Sequence, residues 1–480
     1  MAASLALALV YFPIAILAVP GVVGAATLLA SPRARIAFVV FGGLIILQSS
    51  SSFDVSKAIY LAGTCASLVG ALANYWRNRA CAAAQLLRPM LGASAVFLVF
   101  LALSLIIARA HGVPTLLWLR DAASYALFAA SPLFAFDARS AGSRVVIAAL
   151  TLAGLLGAAS FSLEWLGRRN LSDLEMTRLL LPSGGIAAAL FAYAASRILT
   201  LEMLRPFWLA VLGFIAGAMW ITATRSALVI LAAPATISVF GPRPTLAARL
   251  RRTLVVAPIV GLIALLFSVA ISSVAHVDLS RAAGRLVSVT NPFEILSTPS
   301  QNPASAPVAD GVGHVEPITS SQSPGPAGLG PPVTTLPPAV AAQTYNERAI
   351  QAVLAWQDFL ANPVFGTGPG YVYVWKNGFG ESLSSFSLDT PLALPAKFGI
   401  AGTGTLFVLL LTLGAHIWRA GTATNWAVSE AALLGYASIW IANLPLGLPF
   451  GDKGFSFGLL LLIALTLPPQ SASRPTEAID

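Results

Sequence analysis

The sequence predicts an all-α polytopic membrane protein, on three observations. Apolar residues make up 57% of its 480 residues and charged residues only 10%, with a mean hydropathy of +0.81. A soluble domain carries roughly 25% charged residues, so most of this chain is built to face lipid or other helices. Apolar runs of near-spanning length recur along the whole chain. The basic residues gather between those runs, on alternate connections, as they do in membrane proteins that keep arginine on the cytoplasmic side.

A membrane helix takes about 20 mainly apolar residues. Candidate runs fall near 5–30, 36–49, 58–74, 90–108, 117–137, 144–161, 179–199, 206–223, 226–240, 253–273, 400–418, 428–446 and 454–468. Pro13 and Pro20 interrupt the first, which reads as one kinked helix or a short hairpin, so the expected total is about 12–14 transmembrane helices. The opening MAASLALALVYFPIAIL has no basic segment before its apolar run and reads as a first span rather than a cleaved signal.

The formal net charge of +9 comes from 24 Arg and four Lys against 19 acidic residues. A nucleic-acid surface would need a soluble face to carry that charge, and none is visible, so no nucleic-acid partner is expected. Arg33/Arg35, Arg77/Arg79/Arg88, Arg139/Arg144, Arg197/Arg205, Arg243/Arg249/Arg251/Arg252 and Arg419 all fall on one side, the expected cytoplasmic side. The opposite connections are QSSSSFDVSK, ARAHGVPTLLWLRD, SLEWLGRRNLSDLEMTR, the tight turn TATRS and the long stretch 274–392. Basic residues there, including Arg109, Arg120, Arg225, Arg281, Arg285, Arg348 and the lysines, run against the bias and call for a reason. Cys65 and Cys81 read as buried small hydrophobes, with no CxxC spacing and no disulfide or metal site implied.

Four regions follow: an N-terminal transmembrane bundle (1–273), a large periplasmic loop (274–399), the C-terminal transmembrane helices (400–468) and a cytoplasmic tail (469–480). The loop precedes the last three spans. Its first part, 274–295, can form a short helix with Arg281 and Arg285 on one face at i and i+4. Its second, 296–342, holds ten Pro and no Lys or Arg and lacks the apolar surface to order itself, so it is expected to be a disordered insert. Its third, TYNERAIQAVLAWQDFLA (344–361), reads as an amphipathic helix capped by Thr344 or Asn346 and stopped at Asn362-Pro363. Ile350, Val353 and Leu354 share one face and Arg348 lies roughly opposite. VFGTGPGYVYVW then gives a Gly/Pro turn and an aromatic strand or loop.

Two arginines stand out. Arg225 occupies a tight turn between two apolar runs, where a snorkelling helix-end residue is the ordinary explanation and an intramembrane functional cation the alternative. Arg348 is ordinarily a solvated charge on an amphipathic helix.

Their order along the chain adds a further reading. A TRSA turn, a basic connection and a span lead to an outer loop that ends in NERAIQAVLAWQDFLANPVFGTGPGYV, and SFSLDTPLALPAKFGIAGTGTLFVLLL then enters the membrane. This arrangement resembles the O-antigen ligase and O-antigen polymerase superfamily. Its residues here are Arg348, Trp356, Asn362-Pro363, Gly366-Thr367-Gly368-Pro369-Gly370 and Lys397-Phe398-Gly399-Ile400-Ala401-Gly402. The resemblance implies a glycosyltransferase of the bacterial inner (cytoplasmic) membrane. Its donor would be an oligosaccharide on undecaprenyl pyrophosphate and its acceptor a glycan or lipid, with no cofactor or metal. It implies that Arg225 and Arg348 hold the pyrophosphate, with Arg281, Arg285, Gly368 and Gly370 as further substrate-binding candidates. Guanidinium groups suit that task because they bind phosphate oxygens two at a time and stay charged.

Ligases of this superfamily carry a His-Asn pair where this chain has Leu388-Asp389. None of His111, His276, His314 or His416 falls at that place. His276, just outside the membrane, is a candidate substitute, but polymerase-like members of the superfamily carry Asp-Asn at this place. The resemblance therefore implies Asp389 as the base for the acceptor hydroxyl and favours polymerisation over ligation to lipid A-core. A lipid-linked sugar flippase or other transporter is the alternative, expected to show charge at the bilayer midplane and broken helices. A scaffold subunit of a cell-envelope assembly is a third reading.

Overall fold

The computed structural model describes residues 13–47, 55–167, 183–200, 205–221, 245–275, 338–377, 380–384, 390, 392–423, 430, 432–433 and 453–468. Those residues form α1 (Pro13–Ala30), α2 (Pro32–Ile46), α3 (Val55–Arg77), α4 (Ala82–Ala110), α5 (Thr115–Ser140), α6 (Ser143–Gly167), α7 (Ser183–Thr200) and α8 (Pro206–Ile221). They continue with α9 (Leu246–Ala275), α10 (Pro338–Ala361), β1 (Tyr373–Asn377), β2 (Gly380–Ser384), α11 (Ala393–Ala423) and α12 (Lys453–Thr466). The protein is an all-α membrane protein. Five of its described helices are long and apolar enough to cross a bilayer, six if α1 and α2 form one broken span. Shorter apolar helices α7, α8 and α12 join them.

The centre of the bundle is α5, α7 and α12, each packed against its neighbours. Every described residue of α12 from Gly454 to Thr466 is buried, as are most of α7 and the second half of α5. Alanine and glycine make this density possible. A Cβ on Gly458 would meet that of Ala189 at 2.5 Å, and Gly154 approaches Leu190 as closely. Small residues let helices approach where lipid supplies no hydrophobic drive between them.

The chain breaks first at Ser31-Pro32, where α1 and α2 turn by 113°. Pro20, expected to interrupt the first run, lies within α1, and the described parts of the runs 5–30 and 36–49 become two arms of one bent pair. Arg35 stitches the bend. Its Nη1 donates to the carbonyls of Leu28 (2.8 Å) and Leu29 (2.9 Å), which the break leaves without helical donors. Its Nε and Nη2 fork onto Asp137 of α5 at 2.7 and 2.6 Å, and Asn74 of α3 donates to the same carboxylate at 2.8 Å. Arg35 thus adds to its sequence reading: a member of an arginine cluster at a helix end, it also makes a buried structural bond. Arg249 behaves likewise, forking onto Glu430 at 2.5 and 2.8 Å with both groups buried. Arg35→Lys keeps the charge but cannot serve Asp137 and two carbonyls together. It is expected to lower stability by about 1–3 kcal/mol, read as a fall in the thermal unfolding midpoint in detergent.

Hydrogen bonds tie together the helix ends that the arginine pattern assigns to one side. Arg139 donates to Pro468 O at 3.2 Å and Arg252 to Leu199 O at 2.8 Å. α7 and α12 run in the same direction, with Gly185 against Phe455 and Ala189 against Gly458. Leu199 and Pro468 therefore lie at the same end as Arg35, Asp137 and Arg139.

Other sequence readings shift. The amphipathic helix begins at Pro338 rather than at 344, so Thr344 and Asn346 are interior positions and not caps. It ends at Ala361, before Asn362-Pro363 as expected. The aromatic stretch after the glycine turn is a two-stranded antiparallel hairpin, Tyr373 opposite Ser384. Cys65 is exposed on α3 rather than buried; Cys81, half-buried, precedes α4, and both are free thiols. The last five residues of the insert expected to be disordered over 296–342 are helical, opening α10 at Pro338. Its part 296–337 lies outside the described residues, as do the runs 226–240 and most of 428–446, nearly all of the helix expected at 274–295, and the tail 469–480.

Candidate functional site

At the opposite end of the bundle, the chain builds a second, smaller core. Ala355 of α10, Tyr373 of β1 and Ala393 and Ala396 of α11 pack together, flanked by Leu354, Phe359, Tyr371 and Leu392. Among the described residues, this core is fastened to the bundle at the corner between α4 and α5.

The fastening starts from a break in α11. Gly399 has φ 59° and ψ −168°, a conformation essentially confined to glycine. It divides α11 into a short arm, 393–398, and a long arm that continues into the membrane. A break frees carbonyls on one side and amides on the other, and a buried backbone group left unpaired is costly. Here the Asn362–Gly370 stretch supplies four partners. Thr367 N donates to Ala396 O at 3.0 Å and Gly368 N to Lys397 O at 2.9 Å. In return Ile400 N donates to Pro363 O at 2.8 Å and Ala401 N to Val364 O at 3.0 Å. The Asn362–Gly370 stretch and the Lys397–Gly402 stretch are thus two halves of one backbone exchange.

Two side chains lock that exchange onto the bundle. Lys397 and Asp121 are both buried, and Lys397 Nζ donates to Asp121 Oδ2 at 2.5 Å. The same oxygen accepts from Gly370 N at 2.8 Å. Phe398 inserts between α4 and α5, with ring centroids 4.8 Å from Tyr125, 6.1 Å from Phe97 and 6.2 Å from Phe100. Gly366, Gly368 and Gly370 all have positive φ. A Cβ on Gly370 would lie 2.6 Å from backbone atoms of Leu117 and Trp118, and one on Gly368 2.8 Å from Ala108. Their amides donate inward and the whole Gly366–Gly370 turn is buried. This revises the part expected of Gly368 and Gly370: they act as packing elements, with N–H groups committed to Lys397 O and Asp121.

Above the lock, Asp358 of α10 faces His111 at the C-terminal end of α4. Partial burial pushes the Asp358 carboxyl above the usual carboxylate range, and His111 opposes the shift. Burial also raises the phenols of Tyr371 and Tyr373, whose rings meet edge to face at 5.1 Å. Of these groups Asp358 and Tyr371 are half-buried at the rim, while Tyr373 belongs to the buried core. The Tyr371 phenol can donate a hydrogen bond to an anionic or hydroxylated ligand.

Of the residues singled out from sequence, Arg225, Arg281, Arg285 and Asp389 lie outside the described residues. Arg348 is in α10, its side chain outside the described part. At 100° per residue its position shares a face with Gln351 and Ala355, both buried. Sequence reading missed Asp121 as the partner of Lys397. The signal was present: one of only four lysines lies in an apolar run entering the membrane, and an ionisable group there needs a partner.

No family model matches the chain, and no curated protein matches it. What fold and site define together is a class: a multi-pass helical membrane protein with a second, small core locked to one end of its bundle.

Proposed function

We propose that this chain is an integral-membrane glycosyltransferase of the O-antigen ligase/polymerase type. It acts on the periplasmic face of the bacterial inner membrane, with polymerisation favoured over transfer to lipid A-core. The supporting observation is the backbone exchange: two stretches that carry the family resemblance, 362–370 and 397–402, hydrogen-bond to each other in one lock. Two motifs far apart in a chain gain meaning when they are halves of one object, and α10, which carries Arg348, runs directly into it.

In the proposed reaction the acceptor hydroxyl attacks the anomeric carbon of the lipid-linked glycan. The bond from that carbon to the pyrophosphate oxygen breaks, a new glycosidic bond forms, and undecaprenyl pyrophosphate leaves. Asp389 takes the hydroxyl proton, while Arg225 and Arg348 stabilise the charge that grows on the leaving group. Each charge-assisted contact is worth about 1.5–3 kcal/mol, or roughly ten- to two-hundredfold in rate. Arg225→Lys and Arg348→Lys should both lose that factor, and the alanine variants more, because lysine lacks the two-point fork. The measurement is transfer from a lipid-linked oligosaccharide by purified protein without added metal, normalised to protein in the membrane. Near-native rates in both lysine variants would remove the proposal.

The break at Gly399 and the buried ion pairs also favour a second reading, a transporter of lipid-linked sugars, since transporters use broken helices at their binding sites. The same assay separates the two: a transporter moves the donor across a vesicle membrane and leaves its glycan bond intact.

A further inference from the structure

α10 has two faces of different character. Its inner face, with Gln351 and Ala355 buried and Leu354 and Phe359 half-buried, is spent on the small core. Its other face exposes Ile350, Val353, Trp356 and Leu360, an arc of about 120° at 100° per residue. Val364 and Phe365, just past the helix, continue the same exposed apolar strip. A helix solvated on that side would carry charge there; among the exposed positions from 350 to 360 the only polar residue is Gln357.

The strip does not end at Phe365. The backbone exchange brings Pro363 and Val364 against Ile400 and Ala401, and Ile400 begins the outward stripe of α11. That stripe runs through Phe407, Leu411 and Trp418, all exposed and all on one side of a membrane-spanning helix. The apolar face of α10 is therefore continuous, through Val364 and Ile400, with a surface that faces lipid.

We infer that α10 lies in the outer leaflet, with Ile350, Val353 and Leu360 among the acyl chains and Trp356 at the headgroup boundary. The occupant of this face is bilayer lipid. An interfacial helix of this kind is held by its apolar area, and tryptophan favours the boundary region. The lock at Gly399 then fixes the depth of the small core relative to the membrane. The inference is independent of the proposed reaction, since it concerns where α10 rests and not what the site transfers.

Spin labels on the full chain test it. In a Cys65→Ala/Cys81→Ala background, single cysteines replace Val353 and Leu360, with Phe407 as the lipid reference and Asn78, exposed in the α3–α4 turn, as the aqueous reference. The protein is reconstituted into phosphatidylethanolamine/phosphatidylglycerol nanodiscs, and collision with oxygen and with a neutral nickel chelate is measured by power saturation. Positions 353 and 360 should match 407, high for oxygen and low for nickel. Nickel accessibility like that at 78 would put the face in water and overturn the inference. Low accessibility to both reagents would mean that protein covers it, another segment or a second copy, and would overturn it equally. All four labelled positions are exposed, so the labels leave packing intact.

Discussion

Lys397→Met should lower the stability of the protein by about 3–5 kcal/mol, the cost of leaving a buried charge without its partner. Asp121 would remain buried, with the Gly370 amide still donating to it at 2.8 Å. The thermal unfolding midpoint in detergent should fall sharply, and the level of protein in the membrane with it. Asp121→Asn in the same chain removes the stranded charge while keeping an acceptor for Gly370 N, so the double variant should recover much of the loss. Non-additivity of this sign is the mark of a direct pair. Additive losses, with the double variant worse than either single, would mean that the two groups act separately.

Gly399→Ala is expected to be comparably severe for a different reason. The backbone conformation alone costs an alanine about 1–3 kcal/mol. The new Cβ would also enter the backbone of Val364 and Phe365, which cannot yield without undoing the four-bond exchange. Gly404→Ala makes the same chemical change five residues later, in regular helix with nothing within 4 Å. It should be neutral or stabilising by about 0.5–1 kcal/mol. Unfolding midpoints of the two variants, measured side by side, give the test. Equal behaviour would show that the break in α11 is not held by the glycine turn.

The fold was readable where a single physical quantity decided it. Apolar length alone marks α3, α4, α6, α9 and α11, and the stop at Asn362-Pro363 follows from proline geometry. The bend at Ser31 was not readable in that way, because nothing local to Pro32 says that Arg35 will collect the freed carbonyls. The site was half readable. The glycines and the Lys397–Gly402 stretch stand out in sequence, but their meaning is a pairing between segments about thirty residues apart, closed by a carboxylate in α5. Composition and periodicity describe one element at a time, and the lock is a relation among three. The buried pairs Arg35–Asp137 and Arg249–Glu430 were hidden for a related reason: an arginine at a helix end reads as a topological marker until its acidic partner is in view.

The spacing of Asp121 and Lys397, 276 residues apart, has a consequence for how the protein is made. α5 leaves the ribosome long before α11, so Asp121 enters the bilayer region with its counter-ion still unsynthesised. Until Lys397 is made, Asp121 lacks the lysine that pairs with it in the folded protein, and a carboxylate is costly to place in hydrocarbon. The lock at the start of α5 can therefore close only after α11 has been made. Biogenesis of this protein accordingly has a late, single step, in which the oldest and the youngest parts of the site are joined at once, and a nascent chain stalled before residue 397 carries the glycine turn with nothing to close it.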